Sequence, residues 1–192
     1  MGSQGQKLGE LILYVARECE TDPCCSSTKL NKILFYADFE AYRKLGASIS
    51  GETYQKLEHG PAPRRLIPTV AELERAGWCA WETGERYGFE GRRLVALREP
   101  DVTLFSAPEL ELVSRVIRDL WKLNATEVSD LSHRFAGWQA ADLGETIPYE
   151  TVFVGQPRPL SPEEMAWVEE LAQDERERET ASQGRPASGL RG

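Results

Sequence analysis

The chain has 192 residues, enough for one sizeable domain or two small ones, and its composition (28% charged, 41% hydrophobic) is that of a soluble globular protein. Its 31 acidic and 23 basic residues give a net charge of −8, which argues against general binding to a phosphate backbone. No apolar run approaches transmembrane length and no signal-peptide core is present, so we expect a cytoplasmic protein that binds no membrane.

The first predicted elements are two helices. One covers about residues 6–19, and residues 20–27, which include an Asp-Pro pair, are predicted to form a loop. The second helix covers residues 28–46, with Ser27 or Thr28 as the N-cap and Gly46 at its C-terminus. We predict that the fold is organised around this helix, because apolar residues recur along it at helical spacing: Leu30, Ile33, Leu34, Ala37, Ala41 and Leu45.

Two features of the central helix allow two interpretations each. Lys29 and Lys32 oppose the helix dipole in the first turn, so they are either solvated or paired with an acidic group of this chain or of a partner. Phe35 and Phe39 lie away from the Leu/Ile face. They indicate either a helix buried on both sides or an exposed aromatic patch that contacts another protein.

The middle of the chain is predicted to contain the small β element. Residues 53–58 alternate weakly and predict a short strand, and residues 59–63, His-Gly-Pro-Ala-Pro, predict a rigid turn. A helix is predicted over residues 64–76. Two strands at residues 78–83 and 92–97 then form a hairpin, joined by a connection with three glycines.

The last part of the chain is predicted to be helical and then irregular. Helices are expected over residues 108–123 and 125–133, the second capped by Asn124 or Thr126 with Glu127 in its first turn. Residues 135–149 are irregular, and residues 150–154 form a last short strand or turn. A Pro-rich linker and a helix follow up to residue 176, and residues 177–192 are predicted to be disordered.

No motif in the sequence predicts catalysis. Ser132 and His133 are adjacent on a helix, so they do not face each other as a nucleophile and its base. The cysteines have no metal-ligand spacing and are expected to be reduced thiols: Cys19, Cys24, Cys25 and Cys79. We therefore expect no catalytic residue, no metal, no cofactor and no enzymatic activity.

One local pattern favours DNA binding instead. The helix that ends near Gly77 and the arginine-bearing hairpin after it resemble the helix and wing of a winged-helix protein. The arginines that would contact phosphate are Arg64, Arg65, Arg86, Arg92 and Arg93. Glu72 and Glu74 on the same helix repel phosphate, so we predict no DNA binding at physiological salt, and nucleic acid is not the expected partner.

Several stretches together resemble one family, the Panacea-domain or SocA-like antitoxins. They are the run from Lys29 to Ala37 (KLNKILFYA), the His59-Gly60-Pro61 turn, Ser132-His133, Trp138 and Ile147-Pro148-Tyr149, in that order. The resemblance covers about residues 8–154. It implies a mainly α fold with a small β element (α+β), a helical domain around a central helix with a β-hairpin, over residues 1–154. Residues 155–176 and 177–192 lie outside it.

The resemblance also implies a function. Such a protein is an antitoxin of a bacterial or phage toxin–antitoxin pair that neutralises its cognate protein toxin by direct binding. The alternative is a winged-helix-like DNA-binding regulator. The residues that we expect to contact the toxin are Lys29, Lys32, Phe35, Tyr36 and Phe39. The motif residues that we expect to hold the fold are Asn31, His59, Gly60, Pro61, Ser132, Trp138, Pro148 and Tyr149. Whether the chain also pairs with copies of itself is left open.

Overall fold

The computed structural model describes residues 3–86, 89–155, 161–163, 165–166 and 173. The chain divides into two compact units, Met1–Gln156 and Pro157–Gly192. In the second unit the described residues include helical positions at 162–163 and 165–166, with the Met165 amide donating to the Ser161 carbonyl at 2.9 Å. The remainder of the predicted helix and the predicted disordered tail lie outside the described residues, so the division at residues 154 and 176 stays a prediction.

The described part of the first unit combines helices with two small antiparallel sheets. Its α-helices are α1 (Ser3–Glu18), α2 (Ser27–Leu45), α3 (Leu66–Arg75), α4 (Ala107–Asp119), α5 (Ala125–His133) and α6 (Ala136–Ala140). Its strands are β1 (Tyr54–Leu57), β2 (Gly60–Pro63), β3 (Cys79–Arg86), β4 (Phe89–Ala96) and β5 (Thr146–Ile147). Short 3₁₀ helices occur at Val102–Leu104 and Tyr149–Phe153. The predicted fold class, mainly α with a small β element, is confirmed.

Helix α2 lies at the centre of this unit. It contacts α1, α4, α5, β2 and β4. It ends at Gly46, whose φ of 79° is the left-handed conformation that glycine adopts without strain. Its N-cap is Ser26, one residue before the predicted positions, and the Ser26 side chain accepts a hydrogen bond from the Lys29 amide. The prediction of a helical domain around this helix is therefore confirmed.

Both sides of α2 are buried. Five of the six predicted core residues of α2, all except Leu45, join the main hydrophobic core with residues of α1, α3, α4 and the β3–β4 hairpin. Leu45, the last residue of the helix, is instead 46% exposed. On the other side, Phe35 and Phe39 form a second buried cluster with Tyr54 and Ile147. The interpretation of a helix buried on two sides is confirmed.

The prediction of a rigid turn over residues 59–63 is wrong for four of its five residues. Residues 60–63 form strand β2, which pairs antiparallel with β1, with Pro61 opposite Lys56 and Pro63 opposite Tyr54. The sheet order is β2–β1–β5, so β2 is an edge strand. An edge position leaves one side of the strand without ladder partners and therefore tolerates residues that have no amide hydrogen.

The other β elements also differ in detail from the prediction. Strands β3 and β4 pair as far as Arg86 and Phe89, so most of the predicted glycine-containing connection is strand, and residues 87–88 lie outside the described chain. The segment predicted to be irregular contains α6 and β5. Among the described residues, none of the helices has the length and apolar character needed to cross a lipid bilayer.

Candidate functional site

Lys29 is buried in an ion pair within the chain. Its Nζ lies 2.6 Å from Asp22 Oδ2, and the two side chains are 0% and 1% exposed. The other carboxylate oxygen of Asp22 accepts hydrogen bonds from the amides of Cys24 at 3.0 Å and Lys122 at 3.3 Å. The interpretation of Lys29 as a solvated residue is therefore wrong. The acidic group that it meets belongs to the loop between α1 and α2.

Lys32 is buried without such a partner and joins three of the motif segments. Its Nζ donates to the Pro61 carbonyl at 3.1 Å, and within the described chain no carboxylate lies at ion-pair distance. Burial lowers the pKa of Lys32 to about 8. Gly60, at a φ of 100°, approaches so closely that a Cβ there would lie 2.8 Å from Lys32 Nζ and would clash with Ser132 Oγ. Helix α2, strand β2 and helix α5 therefore meet at this lysine, which is also not solvated.

Phe35 and Phe39 are interior residues that pack against other aromatic rings. Their ring centroids are 4.5 Å apart, and Tyr54 lies 5.7 and 5.5 Å from them. Beside them the fully buried Asp38 accepts hydrogen bonds from the Tyr54 hydroxyl at 2.7 Å and from the Ser50 amide at 2.8 Å. Burial raises the pKa of Asp38, and these hydrogen bonds oppose the rise. The fold thus uses both phenylalanines internally, and neither offers its ring to a partner.

The remaining motif residues make local contacts. Trp138 stacks on His133 at 4.1 Å and donates from Nε1 to the Leu57 carbonyl at 3.2 Å. The Tyr149 hydroxyl donates to the Glu52 carbonyl at 2.6 Å. The Asn31 side chain donates to the Ser27 carbonyl. His59 and Pro148 are exposed. Most of the motif therefore ties α2 to the small sheet and to α5 and α6.

Ser132 and His133 of α5 have different environments and form no nucleophile–base pair. Ser132 Oγ donates to the Ser129 carbonyl at 2.7 Å and is fully buried, whereas His133 stacks on Trp138. In the part of the chain that the structure describes, no group of three or more His, Cys, Asp or Glu side chains is arranged to hold a metal ion. The four cysteines are free thiols.

Tyr36 is the one predicted toxin-contact residue that reaches a concave surface. It is half-buried and lines a groove of about 410 Å³ between α2 and α4, with Leu131 of α5 at one end. Burial raises the pKa of the Tyr36 hydroxyl. We call this surface the α2–α4 groove, and it is lined by Tyr36, Glu40, Arg43, Lys44, Arg115, Val116, Asp119, Leu120 and Leu131.

The α2–α4 groove has an uneven charge distribution. The Glu40 carboxylate lies 2.7 Å from Arg43, 3.3 Å from Lys44 and 3.9 Å from Arg115, and with Asp119 the groove is lined by two anions and three cations. Among the described residues, Arg115 Nη2 is buried and has no hydrogen-bond partner. The sequence does indicate the pairing of Glu40 with Arg43 and Lys44, because these residues are three and four positions apart on one helix. The contribution of Arg115 depends on how α4 packs against α2, so no local pattern in the sequence indicates it.

The arginines of the DNA-binding alternative are largely engaged within the fold. Arg64 donates to the Gly144 carbonyl at 2.8 Å, and Arg92 lies over the Trp81 ring at 4.2 Å. Arg93 pairs with Glu82 at 2.7 Å and is about nine-tenths buried. Arg65 is exposed, and the Arg86 side chain lies outside the described residues. Of the four arginines whose side chains the structure describes, Arg93 is buried, whereas Arg64, Arg65 and Arg92 are exposed.

Comparison with known families gives one match. The model of the family described as "Antitoxin SocA-like, Panacea domain" matches residues 30–139. Comparisons with curated proteins and with solved structures found no match. The matched segment begins in α2, ends in α6 and includes the junction of Lys32, Gly60 and Ser132. Because this match covers more than half of the chain, the protein belongs to the SocA-like antitoxin family defined by the Panacea domain.

Proposed function

We propose that this protein neutralises a cognate protein toxin, in a bacterial or phage toxin–antitoxin pair, by binding the toxin directly. It acts in the cytoplasm and by binding, not by catalysis. The observation that carries this proposal is the family match over residues 30–139, since the family is described as antitoxins. The net charge of −8 supports a protein partner over a nucleic acid.

The α2–α4 groove is the surface that fits such a partner. Tyr36 and Leu131 supply apolar area, and Arg43, Lys44 and Arg115 supply positive charge. Aromatic and arginine side chains are enriched among the residues that dominate binding energy at protein interfaces. On a chain that is acidic as a whole, the groove has three cations against the two carboxylates of Glu40 and Asp119, and this favours a toxin segment that carries a carboxylate next to an apolar side chain.

The first experiment identifies the toxin by growth. Each reading frame that flanks the gene is expressed alone and then together with this chain. We expect that one neighbour arrests growth, that co-expression restores growth, and that the two proteins co-purify. Arrest that persists in the presence of the folded chain, or a set of neighbours of which none arrests growth, would contradict the proposal.

A second experiment tests the groove. Arg115→Glu places a carboxylate beside Glu40, and Arg75→Glu, on the exposed last turn of α3, is the matched charge reversal elsewhere. We expect Arg115→Glu to weaken toxin binding about tenfold or more, the equivalent of about 1.4 kcal/mol, and Arg75→Glu to leave binding unchanged. Equal affinity of both variants, with both folded, would show that the toxin binds another surface.

A further inference from the structure

The loop between α1 and α2 brings two cysteine side chains together. The Asp22 amide donates to the Cys19 carbonyl at 3.1 Å, and the Cys25 amide donates to the Asp22 carbonyl at 3.2 Å. Cys25 packs against the core cluster to which Cys19 belongs, each thiol perturbs the pKa of the other, and both are free.

The two thiols differ in their access to solvent. Cys19 is fully buried at the end of α1 and belongs to the main hydrophobic core. Cys25 is half-buried and lines an open cavity of about 560 Å³ between this loop, the β3–β4 hairpin and the start of α5. A water molecule occupies about 30 Å³ in the liquid, so a small oxidant such as hydrogen peroxide fits this cavity easily.

The pKa values of the two thiols also differ, and the more accessible thiol has the lower one. The neighbouring Cys19 thiol lowers the pKa of Cys25; burial and Asp22 oppose this effect, whereas Lys29 and Arg93 add to it, and the net change is downward. The Cys25 thiol and burial raise the pKa of Cys19. Burial also raises the pKa of the neighbouring Cys24. Because the thiolate is the reactive form, Cys25 is the more nucleophilic member of the pair.

We propose that Cys19 and Cys25 are an oxidant-reactive dithiol, a modification site that peroxide converts to an intramolecular disulfide. The Cys25 thiolate attacks one peroxide oxygen, the O–O bond breaks, and the products are Cys25 sulfenic acid and hydroxide. The Cys19 thiol then attacks the Cys25 sulfur, the S–O bond breaks, and the hydroxyl leaves with the Cys19 proton as water. Cys25 is the peroxide-reactive residue and Cys19 is the resolving residue. This assignment does not depend on the proposed toxin.

The full chain treated with hydrogen peroxide and then analysed as an intact protein gives the first test. We expect the mass to fall by that of two hydrogen atoms, two of the four thiols to become resistant to alkylation, and dithiothreitol to reverse both changes. Four thiols that remain open to alkylation after denaturation of the peroxide-treated chain would overturn the proposal.

Peptide mapping assigns the bond. Trypsin leaves residues 18–29 as one peptide, and a second cut before Asp22 separates Cys19 from Cys24 and Cys25. We expect the two parts to stay linked after oxidation in the natural chain and in Cys24→Ser, and to separate in Cys25→Ser. A link that survives Cys25→Ser would assign the bond to Cys24 and refute the proposed pair.

The Cys19→Ser variant tests the order of the steps. Without the resolving thiol, peroxide should leave Cys25 as a sulfenic acid, which dimedone traps. Cys79→Ser is the matched control, because Cys79 is buried away from this loop and its removal should leave dimedone labelling as low as in the natural chain. Dimedone labelling of Cys19→Ser no higher than that of Cys79→Ser would refute Cys25 as the peroxide-reactive residue.

Discussion

Replacement of Lys29 by methionine tests the structural role of the first buried lysine. Methionine keeps most of the side-chain volume but removes the ammonium group. The Asp22 carboxylate then stays in the interior with only the amides of Cys24 and Lys122 as partners. Because the two side chains are 0% and 1% exposed, the small values typical of surface salt bridges do not apply.

We expect Lys29→Met to lose much of its stability. Removal of one partner from a buried ion pair lowers the free energy of unfolding by about 3–5 kcal/mol. For a domain of this size, this corresponds to a fall in Tm of roughly 6–20 °C. Lys44→Met is the matched control. Its Nζ lies 3.3 Å from Glu40 in an i, i+4 pair, and its side chain is 37% exposed, so we expect a loss of about 1 kcal/mol or less.

Urea denaturation followed by circular dichroism measures both variants. The midpoint should fall strongly for Lys29→Met with an unchanged m value, and it should fall little for Lys44→Met. The further variant Asp22→Asn in the Lys29→Met background removes the unpaired charge and should recover part of the loss. Similar midpoints for Lys29→Met and Lys44→Met would refute the burial argument, as would a double variant that is less stable than Lys29→Met.

Four further predictions follow from the core, the Lys32 junction and the charge distribution. Leu34→Ala should lower the free energy of unfolding by about 2–5 kcal/mol, because the side chain is fully buried; an unchanged urea midpoint would place Leu34 outside the core. Gly60→Ala should lower it by about 2–6 kcal/mol through the clash with Ser132 and the backbone strain, whereas Gly84→Ala, with open space around it, should not, and equal effects would contradict the close packing. The pKa of Lys32 is about 8 in the folded chain and about 10.4 when unfolded, so the unfolded chain holds the extra proton between these values and stability rises with pH. Relative to Lys32→Met, the natural chain should therefore gain up to about 1.4 kcal/mol per pH unit above pH 8, and a pH-independent difference between the two would show that folding does not lower the pKa of Lys32. A band-shift assay with the DNA upstream of the gene should show no salt-sensitive complex at physiological salt, and a retarded complex would favour the regulator alternative.

The sequence predicted the elements whose signals are local. The apolar spacing of α2 predicted its Leu/Ile buried side, and Gly46 marked its end; for the side with Phe35 and Phe39, burial was one of two interpretations. Asn124 and Glu127 predicted the start of α5, where the structure shows a reciprocal capping box. These features depend on residues within a few positions of one another, which is why periodicity and capping rules are sufficient to find them.

The sequence could not predict features that depend on tertiary contacts. Nothing near Lys32 in the sequence indicates that the Pro61 carbonyl, 29 residues away, accepts a hydrogen bond from its Nζ. The prolines of β2 argue locally against a strand, and only its edge position in the sheet makes that strand possible. The excess charge of the α2–α4 groove arises when Arg115 meets residues 40–44 of another helix. The lysines that the sequence suggested for the partner surface are interior, and we propose the groove in their place.

The central claim is that this chain neutralises a protein toxin by direct binding. The most direct test is calorimetric titration of the purified toxin, the growth-arresting neighbour, into the purified chain, with toxin activity measured at each ratio. We predict a saturable complex and a loss of toxin activity that follows complex formation at the same stoichiometry. A fully active toxin in the presence of excess folded chain, with no heat of binding, would contradict the account.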